Sequence, residues 1–198
     1  MSQNKSILVS AEKTKSEESR ICQGDIFRDV TIIEDFNANE ESIQVTKLSF
    51  PFVICLNQDC DLNSDYRAKL QGKEGKDCCL IHYIVAPLFP VNNTGNNHWG
   101  NIFQESETLS KKQIERIRKN ELPRFHILHF PKSDGIDIDF IIDFKHFFTV
   151  SSKYLNSNLN NRLCSIDILY REQVSQRFGN YLTRIGLPGK EENISDKP

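Results

Sequence analysis

Short apolar runs separated by polar, glycine- and asparagine-rich breaks dominate the chain, and this spacing predicts strands more than long helices. Gln23-Gly24-Asp25 signals a turn, and Ile26 to Ile33 then reads as a strand. Residues 37–41 form the next turn, followed by a β-leaning stretch with Ile43, Val45 and Leu48. Pro51 opens the continuous apolar run Phe52-Val53-Ile54-Cys55-Leu56, short enough for a strand buried on both faces. That run stops at Asn57-Gln58-Asp59-Cys60-Asp61, which reads as a polar loop at a cleft mouth. Residues 71–77 read as a glycine-containing hairpin loop, Cys78 to Ala86 as a buried strand ended by Pro87, and residues 92–101 as a loop.

Helical spacing enters at Ser106 to Glu121, where Ser110 fits the N-cap, Ile114, Ile117 and Leu122 form a thin stripe, and Pro123 is the stop. Arg124 to Phe130 reads as a strand and residues 131–135 as a turn. Asp137 to Phe144 alternates, with Ile138, Phe140 and Ile142 on one face and Asp137, Asp139 and Asp143 on the other. Residues 156–161 read as a polar loop. The last helix spans Tyr170 to Arg184, burying Val174, Phe178, Leu182 and Ile185, with Gly186 and Pro188 after it. The sum is an α+β, β-rich, barrel-like fold of five to seven strands, with one inserted helix and one C-terminal closing helix. Residues 1–20 are polar and mixed in charge and read as a flexible arm, 21–188 as one domain, and 189–198 as a disordered tail.

Composition narrows the function classes. A length of 198 residues supports one core, and 38% hydrophobic with 26% charged residues suits a globular chain. A net charge of −2 gives no bulk reason for nucleic-acid or membrane binding. No apolar run approaches the roughly 20 residues of a membrane span, and no signal-like stretch opens the chain, so a cytoplasmic protein is expected. In that setting the six cysteines are expected to be mostly buried, reduced thiols.

Two stretches carry resemblances. Gly24-Asp25-Ile26-Phe27, followed by Pro51-Phe52-Val53-Ile54-Cys55-Leu56-Asn57, resembles the opening of the MazF/PemK-type toxins. That resemblance implies an SH3-like, partly open barrel and RNA cleavage, although Phe50 stands where that family carries a basic residue serving catalysis. The order Gly-Asp-Ile, Asn57-Gln58-Asp59-Cys60-Asp61-Leu62, Asp143-Phe144 with Phe148-Thr149-Val150, and Arg177 through Pro188 resembles an uncharacterised group of bacterial and phage-associated proteins. It implies a bacterial stress or phage-conflict setting. The expected function is a binding or accessory module recognising a protein partner, with RNA or DNA as the other choice. The alternative is a toxin-like endoribonuclease or a thiol-dependent hydrolase using Cys60.

Candidate chemistry centres on the segment 57–61. Asn57, Gln58 and Asp59 would bind, and Cys60 with Asp61 would be the catalytic pair of a thiol enzyme. Asp59 and Asp61 oppose a thiolate there, so one of His82, His98, His126, His129 and His146 would have to supply a base. No Cys-x-x-Cys pair is present. A composite of Cys60, Cys78 and His82 can be drawn, but no metal or cofactor is expected. Asp143-Phe144-Lys145 fits a short nuclease element, while strand alternation explains the aspartates as a solvated face. Lys112, Arg116 and Lys119 could form a phosphate-binding stripe, and Trp99 could anchor an interface.

Overall fold

Alternation in the first half of the chain builds the longest ladder of the sheet. In the computed structural model, residues 11–12, 19–38, 43–91, 109–130 and 139–184 are described. Strand β2 (Asp25–Ala38) and strand β3 (Ile43–Cys55) pair antiparallel from Ile26↔Ile54 to Ala38↔Ile43, with one irregularity between Ile33 and Asp35. The other strands are β1 (Ala11–Glu12), β4 (His82–Pro90), β5 (Phe125–Leu128), β6 (Phe140–Asp143), β7 (Phe148–Ser151) and β8 (Arg162–Ile166). Their order is β1-β8-β2-β3-β4-β6-β5, with β7 also beside β4. All pairings are antiparallel, and β1 and β5 end the order without meeting, so the sheet is a partly open barrel. Among the described residues, four α-helices complete an α+β, β-rich fold: α1 (Asp59–Leu70), α2 (Lys111–Arg118), α3 (Ser152–Ser157) and α4 (Ile168–Leu182).

The apolar run at 52–56 serves both faces of the sheet, as its continuity predicts. Ile54 joins Ile26, Leu88, Phe140, Phe144 and Ile166 in a core closed by Val174, Phe178 and Tyr181 of α4. Its neighbour Val53 joins Phe27, Phe50, Val85 and Leu155 in a second core, closed by Leu62 of α1. A third cluster lies under α2, around Ile117, Phe125 and Ile141. Fully burying each such side chain contributes about 1.5–3 kcal/mol. Ser110 caps α2 as expected, in a reciprocal capping box with Gln113.

Several expectations are corrected. Segment 57–61 is not a loop: α1 begins at Asp59, with Gln58 at the N-cap. Asp59 and Asp61 in its first turn and Arg67 and Lys69 in its last turn suit the helix dipole. Residues 71–77 join α1 to β4 rather than two strands of a hairpin. Pro87 does not end β4. Ile84 turns its N–H and C=O toward the β3 side, to Asn57 and Leu56, so the edge of Pro87 that lacks an N–H faces away. There β7 covers His82–Val85 and β6 covers Leu88–Pro90, and Pro87 falls in the gap between them.

Asp143 is fully buried rather than on a solvated face, and all four residues of β6 are buried. Asp137 lies outside the described residues. In α4 it is Tyr181, not Leu182, that is buried; Leu182 is 53% exposed. Residues 159–161 of the expected loop form a 3-10 turn. Part of the expected free arm is tied down: Ala11 pairs with Ile166, and Arg20 forms an ion pair with Asp59. Among the described residues, no helix is long and apolar enough to cross a membrane.

Candidate functional site

Helix α1 carries most of the candidate residues, and its buried face explains its position. Leu62, Asp65 and Ala68 face inward at a spacing of three. The middle one is a carboxylate, so the helix leaves almost no apolar stripe.

At the N-terminal end, Asn57 is structural. Its Oδ1 accepts the Ile84 N–H at 2.6 Å, extending the β3–β4 ladder by one side-chain bond. Asp59 accepts a fork from Arg20 at 3.1 and 3.2 Å and the Gln23 N–H at 3.2 Å, with Arg171 at 3.9 Å. Burial pushes its carboxyl upward, but the bonds from Arg20 and Gln23 and the charges of Arg20 and Arg171 outweigh this and hold it below the usual range. Beneath it lies Asp25, fully buried, bonded by Ser165, the Cys22 N–H and Arg162. There desolvation wins and raises the carboxyl, despite those bonds.

Gln58, Cys60 and Asp61 point outward and are exposed. The Cys60 thiol donates toward Gln58 Oε1 at 3.6 Å and Asp61 Oδ1 at 3.7 Å, and neither partner is a histidine. Cys60 and Cys78 line one groove of about 360 Å³ with Arg67 and Lys73. His82 is not among its walls, so the drawn Cys60–Cys78–His82 composite is not assembled there. Among the described residues, no group of three or more His, Cys, Asp or Glu side chains could hold a metal ion.

At the C-terminal end, α1 contributes a network that sequence reasoning missed. Asp65 accepts the Leu80 N–H at 2.8 Å, the Tyr83 hydroxyl at 2.6 Å and the Lys69 ammonium at 2.7 Å. Asn156 donates to the Tyr83 oxygen at 2.8 Å, and Lys69 reaches Ser152 at 3.5 Å. Burial and the Asp65 bond raise the Tyr83 phenol, keeping it a donor at neutral pH. Lys69, Ser152 and Asn156 line a cavity of about 670 Å³ with Lys76, Cys79 and Ile81. The only sequence signal is Lys69 four residues after Asp65, which is readable once a helix is assumed.

The remaining candidates are dispersed. Arg124 grips Asp143 through two bonds of 2.9 and 2.6 Å, and the Lys145 N–H adds a third at 3.0 Å. Both Asp143 oxygens are thereby engaged, which leaves the Asp143-Phe144-Lys145 element no open carboxylate for a cation. Lys112 and Arg116 are exposed on α2, and Arg116 pairs with Glu121 at 3.2 Å. Lys119 is the C-cap of α2. His129 bonds Asp139, and His126 is buried. Trp99 and His98 lie outside the described residues. Phe50, at the position of the toxin family's basic residue, is buried and stacked on Phe148 at 4.3 Å.

One surface belongs to none of these. β8 pairs only with Asp25–Phe27 of β2, and β4 only with Phe52–Cys55 of β3. Among the described residues, the outer stretch of the β2–β3 hairpin is therefore unflanked on both edges. Its root is anchored, since Ile32 and Leu48 pack on the second core and the Thr31 N–H donates to the Tyr154 phenol oxygen at 3.1 Å. Beyond that root Ile33, Val45 and Ile43 are 65%, 42% and 72% exposed. No protein-family model matches the chain, and no curated protein matches it.

Proposed function

We propose that this protein is a protein-binding module, and that its docking element is the outer β2–β3 hairpin. The supporting observation is the outer ribbon, which carries three exposed aliphatic side chains and, among the described residues, two edges that no strand flanks. A two-stranded ribbon is marginal in water, and an unprotected apolar edge is a template for another strand. A partner strand added to either edge would satisfy the free backbone groups and cover Ile33, Ile43 and Val45.

Charge selects the class of partner. Residues 28–50 contain five acidic side chains (Asp29, Glu34, Asp35, Glu40 and Glu41) against two basic ones (Arg28 and Lys47). Such a ribbon repels a phosphate backbone and also a second copy of itself, and it favours a basic, β-forming segment of another protein. The bacterial stress or phage-conflict setting comes from the sequence resemblance and belongs to the proposal.

Affinity capture from cells of the source organism tests this reading, with wild type compared against an Ile33→Thr/Ile43→Thr/Val45→Thr chain of equal thermal stability. The expected result is a protein partner enriched by wild type, lost with the variant, and weakened as salt rises. A nucleic-acid partner, or capture indifferent to the three substitutions, would overturn it.

A further inference from the structure

The connection from α1 to β4 and the helix α3 form the walls of the cavity of about 670 Å³, a size within the range of small-molecule sites. Its polar wall is fixed in place. Asp65, Tyr83 and Ser152 hold the Lys69 ammonium at 2.7, 3.4 and 3.5 Å. Asn156 commits its amide nitrogen to the Tyr83 oxygen at 2.8 Å and the Ser152 carbonyl at 2.7 Å. Its Oδ1 is thereby oriented, and among the described residues it accepts no bond. Leu80 and Ile81 supply an apolar wall, and Ile81 is 79% exposed. Four exposed charges complete the lining: Glu74, Lys76 and Asp77 from the connection, and Lys153 from α3. Among the described residues none of these four enters an ion pair, with one another or with any other group. The connection that carries three of them is pinned by backbone bonds from the Lys76 N–H to Lys73 O and from the Cys79 N–H to Lys76 O.

We infer that this cavity binds a short apolar peptide, of dipeptide size, through both of its charged ends. The charges of the lining select the ligand. A simple anion drawn to Lys76 and Lys153 would also face Glu74 and Asp77, and a simple cation would face the reverse conflict. A zwitterion answers both signs. Lys69 does not alter this balance, because the buried Asp65 carboxylate already neutralises it. The peptide carboxylate goes to Lys76 and Lys153, and the ammonium goes to Glu74 and Asp77. The peptide N–H donates to Asn156 Oδ1, the fixed acceptor of the wall. Apolar side chains cover Leu80 and Ile81, which water otherwise reaches. The site shares no residue with the outer hairpin, so it stands whether or not the hairpin docks a partner.

The dipeptide Leu-Leu is the probe, titrated into the full chain and followed by calorimetry and by backbone amide chemical shifts. Wild type should bind it one to one, with the shifts centred on residues 74–81 and 152–157. N-acetyl-Leu-Leu and Leu-Leu-amide each lose one charged end and should bind at least about tenfold more weakly. Gly-Gly should also bind more weakly, because it leaves Leu80 and Ile81 uncovered. A Lys76→Gln/Lys153→Gln chain should lose the preference for Leu-Leu over its amide. A Glu74→Gln/Asp77→Asn chain should lose the preference for Leu-Leu over its N-acetyl form. All four substituted positions are exposed, and a thermal melt checks that the chains fold alike. No binding of Leu-Leu by about 10 mM would overturn the inference. So would capped peptides that bind as tightly as Leu-Leu, preferences that survive in the variants, or shifts centred elsewhere in the chain.

Discussion

Replacing Asp65 with alanine removes the acceptor that joins α1 to β4. The carboxylate is 1% exposed and receives the Leu80 N–H, the Tyr83 hydroxyl and the Lys69 ammonium. Without it, two neutral donors lose an acceptor, each costing about 1–3 kcal/mol when buried. Lys69 is 26% exposed on its side chain and turns toward water, so its share is small. The expected loss is about 4 kcal/mol, against a total of about 5–15 for an ordinary domain. At about 2–4 °C per kcal/mol for a chain of this size, Tm should fall by about 8–16 °C. Tyr83→Phe should cost only about 1 kcal/mol, because Asp65 keeps its other two donors. The double variant should lose less than the sum, since the phenol no longer seeks an acceptor. Urea unfolding followed by circular dichroism reads all three. A loss below about 1 kcal/mol for Asp65→Ala, or full additivity, would refute this view of the network.

Three further outcomes follow from single positions. Burial and the Arg177 charge lower the His126 imidazole to about 4. Its folded value lies below the unfolded one, so stability is fully present above about 6.5 and is lost as pH falls toward 4, by on the order of 3 kcal/mol. His126→Leu should flatten the urea midpoint across that window, and an unchanged slope would contradict the cause. Gly24→Ala should cost at least about 2 kcal/mol, since φ is +80° and a Cβ would collide with Ile166 Cγ1; thermal unfolding checks it. Cys60→Ala should change stability by less than about 0.5 kcal/mol, because the thiol is exposed and makes only long contacts, and the same melt reads this.

What the sequence reveals here follows from whether polarity and burial agree. Strands β2 and β3 and helices α2 and α4 are readable because their apolar positions carry the right period. Helix α1 is not, because Asp65 occupies the centre of its buried face and Asp-Cys-Asp directly after a strand looks like a turn. Asp143 misleads in the same way: regular alternation places it outward, yet Arg124 pays for its burial from across the β5–β6 pair. Pro87 looks like a strand end because the sequence does not show the gap between β6 and β7 opposite it. At the candidate site, Asn57 and Asp59 stand out as polar groups after an apolar run. Their partners Ile84, Arg20 and Arg171 are distant in sequence, so a structural role for both is visible only once the chain is folded. The outer hairpin is hidden for a related reason: the pairing of β2 with β3 is legible, but how far β4 and β8 cover it is not.

The docking role of the hairpin is tested most directly by photo-crosslinking inside cells of the source organism, with p-benzoylphenylalanine placed at Val45 in one chain and at Gln71 in another. Both positions are exposed, one on the ribbon and one at the end of α1. A discrete protein adduct from position 45, absent from position 71, is the predicted result. Adducts from position 71 alone, or nucleic acid joined at position 45, would contradict it.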